Sequence, residues 1–271
     1  QSVKIFCMFG VDQYGDFKAL AAHAEGAADF RISKMGRDHN AALAGFLGRV
    51  PFGEAWELQR KIWRGLAEGR SGGDVFLFLE HGPVFTLGTG GSEAHIVSRR
   101  LSAGEAEVPV VRVNRGGEVT FHGPGQLMMY AICRLTGSGR DVHAHCRRLE
   151  EVFLRYLSGA GFEARRREDM PGLWVEGEKI LSLGVGARRW VTMHGVAFNV
   201  APDLRYFGMI HPCGEVGARV TSLERLLGKA PPLREVAGAL IPICREVFGR
   251  EVIWSEGAPE GLASWDAAGE R

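Results

Sequence analysis

The sequence predicts an α+β fold. Helical and strand-like patterns both recur along the chain, and they do not alternate regularly, as a doubly wound parallel sheet would require. The helical signal is the recurrence of apolar residues at Ala55, Leu58, Ile62 and Leu66, and again at Val236, Leu240, Ile243 and Val247. The strand signal is the alternation of Val196, Phe198 and Val200, which reads as a half-buried strand. With 271 residues, 45% of them hydrophobic and 24% charged, the chain can bury a full core as one large domain, alone or with an appendage.

In chain order, the first spacing predicts a helix over 52–68, followed by strands at 74–80, 84–88 and 108–114. A glycine-rich segment then leads into an apolar strand over 127–135. Leu149, Phe153 and Tyr156 mark a second helix, expected to end at Gly159 or Gly161, where glycine can take the left-handed cap. Strands are expected around Trp174, Ile180 and Ala197. Thr221 and Glu224 have the Thr-x-x-Glu spacing of a capping box ahead of Leu226 and Leu227. The last helix contains Pro242, a candidate kink. There is no internal repeat, and the tail over 256–271 is rich in Ala, Gly and charge.

A formal net charge of +1 argues against general nucleic-acid or membrane-surface binding. No apolar run approaches the ~18 residues of a bilayer span, and the N-terminal stretch lacks a secretory pattern, so the expected location is cytoplasmic. The five cysteines are scattered without a Cys-x-x-Cys pair, which speaks against a disulfide framework and against a zinc site.

Three segments carry candidate chemistry. The first, 115–130, packs four glycines with Arg115 and His122 ahead of an apolar run, as a ligand cradle or a tight glycine-rich hairpin would. The second, 172–184, reads as strand, turn at Glu176 and Gly177, and strand, with Lys179 at a strand mouth. The third places Cys213 between Pro212 and Gly214, outside any periodic pattern, although free cysteine is usually a core residue.

Together these segments resemble the lipoyl(octanoyl) transferase family, related in fold to biotin and lipoate protein ligases. The resemblance covers about 52–254. It lies in the Arg-Gly-Gly…His-Gly-Pro-Gly-Gln loop at 115–126, Gly-x-Lys-Ile-x-Ser-x-Gly at 177–184 and His-Gly-x-Ala-x-Asn at 194–199. Pro-Cys-Gly at 212–214, followed by Val-Thr-Ser-Leu at 220–223, extends it. Upstream, Glu54-Ala-Trp, Gln59 and the stretch 79–88 also fit. The sequence departs from the family pattern at Phe121, Gly82, Thr89 and Ala131, and residues 1–45 match none of it.

The resemblance implies a mixed sheet flanked by helices, with a catalytic domain over 46–255, an N-terminal extension over 1–45 and a C-terminal tail over 256–271. It implies transfer of an octanoyl group from octanoyl-loaded acyl carrier protein to a lysine of lipoyl domains, those of 2-oxoacid dehydrogenase complexes and of the glycine cleavage H protein. No cofactor, metal, nucleic acid or membrane enters. Cys213 and Lys179 would be catalytic. Arg115, Gly116, Gly117, Glu118, Val119, Thr120, Phe121 and His122 would line the substrate pocket with Ser182, Leu183, Gly184, Gly195, Val196 and Ala197.

The chemistry suits these residue types. Acyl transfer from thiol to amine needs a nucleophile that takes the acyl group and yields it again, and thioester exchange is nearly balanced. A cysteine of pKa ~8.5 is only a few per cent thiolate at pH 7, so an ammonium beside Cys213 would favour its reactive form. A neutral Lys179 could then accept the proton of the incoming amine, so the pair is one coupled titration. Amides of Gly116 and Gly117, or those near Ser182 to Gly184, are candidate donors to the developing oxyanion. His122 and His194 read either as acids or bases or as residues that shape the loop, and His81 as a support of the turn at 80–83. The arginines at 165–167 read as a solvated face or as an attraction for an acidic carrier. Three rivals stay open: an ATP-dependent lipoate or biotin ligase, a cysteine thioesterase or amidase, and a non-catalytic carrier-binding protein.

Overall fold

The computed structural model describes residues 41–69, 73–102, 104–168, 170–211 and 219–257. In chain order the elements are β1 (Ala41–Arg49), α1 (Phe52–Ala67), β2 (Asp74–Glu80), β3 (Val84–Leu87), β4 (Val110–Arg112), β5 (Val119–His122) and β6 (Gln126–Ile132). There follow α2 (Val142–Gly159), β7 (Ala164–Arg165), β8 (Gly172–Val175), β9 (Glu178–Arg188) and β10 (Val191–Asn199), then α3 (Leu223–Leu227), α4 (Leu233–Phe248) and β11 (Glu251–Glu256). Eight strands form one sheet in the order β11-β1-β2-β6-β10-β9-β8-β7, and three form a second, β4-β3-β5. β1 runs parallel to β11 and β2, whereas β6, β10, β9 and β8 pair antiparallel, so the sheet is mixed and the fold α+β.

Alternation on β2 builds both layers of the core. Val75, Leu77 and Leu79 face Ala55, Ile62 and Leu66 of α1, while Phe76 and Phe78 face Phe153 of α2 and Leu240 of α4. Burying an aromatic side chain such as Phe153 contributes about 1.5–3 kcal/mol, so the sheet needs helices on both faces. The small sheet closes over Phe85, Leu87, Val119 and Phe121, packed against Phe207 and Met209 of the 3-10 turn Leu204–Met209.

Several expectations are corrected by this packing. β10 is buried at every position, not half-buried, because α1 packs on one face and α2 on the other. The cap of α3 is Ser222, whose side chain accepts from Arg225 N–H; Thr221 N–H is instead bonded to Lys179 C=O at 2.9 Å. α2 does end where expected, with Gly161 left-handed just beyond it (φ +87). α4 runs as one helix through Pro242.

The domain boundary expected at residue 45 falls inside β1, and the one at residue 255 inside β11. β1 lies between β11 and β2, paired to both over Ala42–Phe46. Residues 1–40 and 258–271 lie outside the described residues. A chain starting at residue 50 should therefore unfold at a lower urea midpoint than one starting at residue 41, since it lacks the strand joining β11 to the sheet; equal midpoints would refute this.

Candidate active site

A cavity of about 470 Å³ opens where the two sheets meet, within the roughly 300–1,000 Å³ usual for small-molecule sites. Met128 and Tyr130 of β6, Ser182 and Gly184 of β9, and Gly195 and Ala197 of β10 form its floor. Thr86, Thr120 and His122 of the small sheet and the loop 113–118 form its roof, and the first turns of α2 flank one side. Lys179 and all the residues expected to bind substrate lie on this lining except Phe121. Side chains alternate along β5, so Phe121 turns into the core of the small sheet, stacked on Tyr206 with ring centroids 4.5 Å apart. Cys213 lies outside the described residues.

A β-bulge aims Lys179 into the cavity. Leu173 pairs with Leu181 but Trp174 with Lys179, so Ile180 is an extra residue on β9. Ile180 and Leu181 both enter the core beneath α2, and Lys179 is thereby turned to the same face as Ser182. The Lys179 side chain is buried, with Nζ 4.9 Å from the ring centroid of Trp174, its cross-strand partner. Gly172 makes room for it: its φ is +126, and a Cβ there would sit 3.0 Å from Lys179 Cε and collide with the carbonyl of Leu181. Gly172 N–H is held by the buried carboxylate of Glu150, which also binds Arg147 and Arg166. Lys179 N–H donates to Arg219 C=O and its carbonyl accepts from Thr221, each at 2.9 Å, so the segment following Cys213 is zipped to the lysine backbone.

The roof is tied to the floor by a buried chain of hydrogen bonds whose direction can be deduced. Asn199 Nδ2 donates to Thr221 C=O, an obligate acceptor, at 3.0 Å. Asn199 Oδ1 then accepts from Gln126 Nε2 at 2.9 Å, which leaves Gln126 Oε1 to accept from His122 Nδ1 at 2.9 Å. Neutral His122 therefore presents the Nε2 lone pair, which accepts from the Thr86 hydroxyl at 3.1 Å. Thr86 Oγ1 in turn accepts from Arg115 Nη2 at 2.8 Å, as does Thr86 C=O. Thr86, Gln126 and Asn199 were not among the expected site residues. The signal for Thr86 is a lone hydroxyl in the apolar strand Val84–Leu87, whereas Gln126 and Asn199 stand at the ends of their motifs.

Three histidines at the cavity, His81, His122 and His194, are held neutral. Burial pushes His81 down to about 4, and burial with the charge of Arg115 does the same to His194. His122 lies well below the ordinary imidazole value, first through burial and then through electrostatic coupling to His81 and Arg115. His81 Nδ1 donates to Val50 C=O at 2.6 Å, so its Nε2 accepts from the Tyr130 hydroxyl at 2.7 Å. His194 bonds Asn114 Oδ1 at 2.8 Å. Gly116 N–H is occupied by Val185 C=O at 3.0 Å and so is not an oxyanion donor. Among the described residues no group of three His, Cys, Asp or Glu side chains is placed to hold a metal, and no helix is long and apolar enough to cross a membrane.

Because His81 and His194 bind protons less readily folded than unfolded, stability should be full above pH ~6.5, the unfolded imidazole value. It should fall as pH drops from there toward about 4. Urea midpoints at pH 7.5, 5.5 and 4.5 measure this, and a flat profile would contradict it. Tyr130→Phe leaves His81 Nε2 without its donor and should cost about 1–3 kcal/mol in the same assay at pH 7.5.

Comparison with known proteins identifies the family. Residues 51–244 match the family model of the lipoyl protein ligase A/B catalytic domain. The chain is 43% identical over 190 residues to an octanoyltransferase of Geobacter metallireducens, covering 70% of this chain and 85% of that one. It is 44% identical over 205 residues to an octanoyltransferase of Chloroflexus aggregans, covering 74% and 92%. Its fold is shared with the bi-partite lipoate protein ligase of Thermoplasma acidophilum, with a TM-score of 0.64 at 17% identity over 84% of this chain and 91% of that one. A roofed cavity with a bulge-aimed lysine thus sits within the matched segment, and the chain belongs to the lipoyl protein ligase A/B catalytic-domain family.

Proposed function

We propose that the protein is an octanoyltransferase that moves an octanoyl group from octanoyl-acyl carrier protein to a lysine of lipoyl domains, in the cytoplasm, with Cys213 as nucleophile and Lys179 as its partner. The observation that carries this reading is the likeness to octanoyltransferases at 42–44% identity over most of their length. The cavity supports it: apolar residues such as Met128 and Leu183 share its lining with Lys179, and each methylene of a bound acyl chain contributes about 0.8 kcal/mol on burial.

The reaction takes two displacements. Cys213 Sγ attacks the thioester carbonyl, a new C–S bond forms, and the carrier thiol leaves with the proton. The acceptor amine then attacks the acyl-cysteine, the amide forms, and the Cys213 thiol is restored as the amine gives up its proton. A lysine beside the cysteine favours the thiolate in the first displacement and, when neutral, takes the amine proton in the second. Lys179 suits this role because its backbone is bonded to Arg219 and Thr221, just beyond the segment that carries Cys213.

Intact mass after mixing with octanoyl-acyl carrier protein, without ATP, should show an octanoyl adduct on Cys213 that moves to an added lipoyl domain. Cys213→Ala should show neither adduct nor transfer, and Lys179→Ala should slow transfer by about 10²–10⁴-fold. Labelling that appears only with ATP and free octanoate would make the protein a ligase and remove Cys213 from the mechanism.

A further inference from the structure

The hairpin joining β9 to β10 closes in two residues, since Arg188 pairs with Val191. Both turn residues, Arg189 and Trp190, are left-handed (φ 52 and 59), a conformation this turn type ordinarily reserves for Asn-Gly. Trp190 is nonetheless 45% exposed, and the Arg140 guanidinium lies 5.8 Å from its ring centroid. Arg140, Arg188 and Arg189 are all exposed, and among the described residues none of them pairs with a carboxylate. The arginines at 165–167 differ: Arg165 is bonded to Glu163, Arg166 to Glu150 and Glu151, and Arg167 lies over Trp174.

This basic, aromatic rim adjoins the cavity. Arg140 directly precedes Asp141, the cap of α2, and the next residues, Val142 and His143, line the cavity that continues along β9 to Lys179. Exposed tryptophan with arginine is the composition of an interface hot spot, and a strained turn that persists at such a place is typical of a functional contact.

We propose that the rim of Arg140, Arg188, Arg189 and Trp190 docks the acidic surface of the acyl-donating carrier protein, so that its acylated arm enters the cavity past the first turn of α2. The inference rests on the transferase reading above. It assigns the rim to the donor because only the donor must thread a long arm along the cavity, and because unpaired cations match an acidic partner.

The test compares wild type with Arg188→Glu/Arg189→Glu and with Arg189→Asn/Trp190→Gly, using octanoyl-acyl carrier protein and octanoyl-N-acetylcysteamine as donors. Both variants should raise KM for the carrier about tenfold and flatten its salt dependence, as removal of rim charges does. Turnover of the small thioester should stay as in wild type. The Asn-Gly turn should also raise Tm while weakening carrier use, a pairing that a merely structural role would not produce. An unchanged carrier KM in both variants, or a rise confined to the lipoyl domain, would overturn the assignment and leave the transferase reading intact. A wild-type protein inert to both donors would instead refute that reading, and the docking proposal with it.

Discussion

The cavity depends on one buried run of hydrogen bonds, from Arg115 through Thr86, His122, Gln126 and Asn199 to the Thr221 carbonyl. Its members come from the small sheet, the large sheet and the segment leading into α3, so it joins parts that share little apolar contact. Each link contributes only about 1 kcal/mol net, but breaking one leaves a buried partner unsatisfied, at about 1–3 kcal/mol. The run is therefore held by the cost of losing any member. It sets how closely the glycine-rich loop approaches β9, where Gly116 N–H meets Val185 C=O. Gly88 belongs to the same constraint, because a Cβ there would strike the Gly117 carbonyl and come within 2.9 Å of Arg115 Nη1.

The bulge at Ile180 is the second device, and it acts on the first. Without the bulge, Lys179 and Ser182, three positions apart, would point to opposite faces of β9, as the period of two demands. With it, Ile180 and Leu181 both fill the core under α2 while the lysine faces the cavity. Thr221 joins the two devices: its carbonyl ends the hydrogen-bond run, and its N–H holds the Lys179 carbonyl. A change at His122 can thus reach the lysine through ordered groups, without any direct contact.

What was legible in the sequence follows from the range of each interaction. The helix at Phe52–Ala67 has strong local periodicity and the strand at Asp74–Glu80 holds an unbroken apolar run, and both lie where the pattern puts them. β1 and β11 were missed because their pairing is non-local, Ala41 meeting Glu251. β5 was hidden inside a segment whose glycines dominate, though Val119 and Phe121 alternate with Thr120 and His122 as a strand should. That same alternation removes Phe121 from the lining, a distinction that a contiguous motif of ligand-loop residues cannot express. The capping box failed at Thr221 because a tertiary bond to Lys179 engages its N–H. Gln126 and Asn199 could be read as motif residues, but their bond spans 73 positions and only the fold brings them together.

The direction of the hydrogen-bond run decides what the histidines can do. A peptide carbonyl only accepts, so the orientation of Asn199 is fixed from Thr221, that of Gln126 from Asn199, and the tautomer of His122 from Gln126. Both ring nitrogens of His122 are then engaged, and burial holds it neutral. To act as a base it would need to gain a proton beside Arg115, with Thr86 turning its hydroxyl away. His81 is engaged in the same manner between Val50 and Tyr130, whose hydroxyl points its proton at the imidazole and not into the cavity. The residues of the roof are thus committed to holding shape and polarity, and proton movement falls to the groups outside the run. Among the described lining residues, Lys179 is the amine that the bulge brings to the floor beside Ser182.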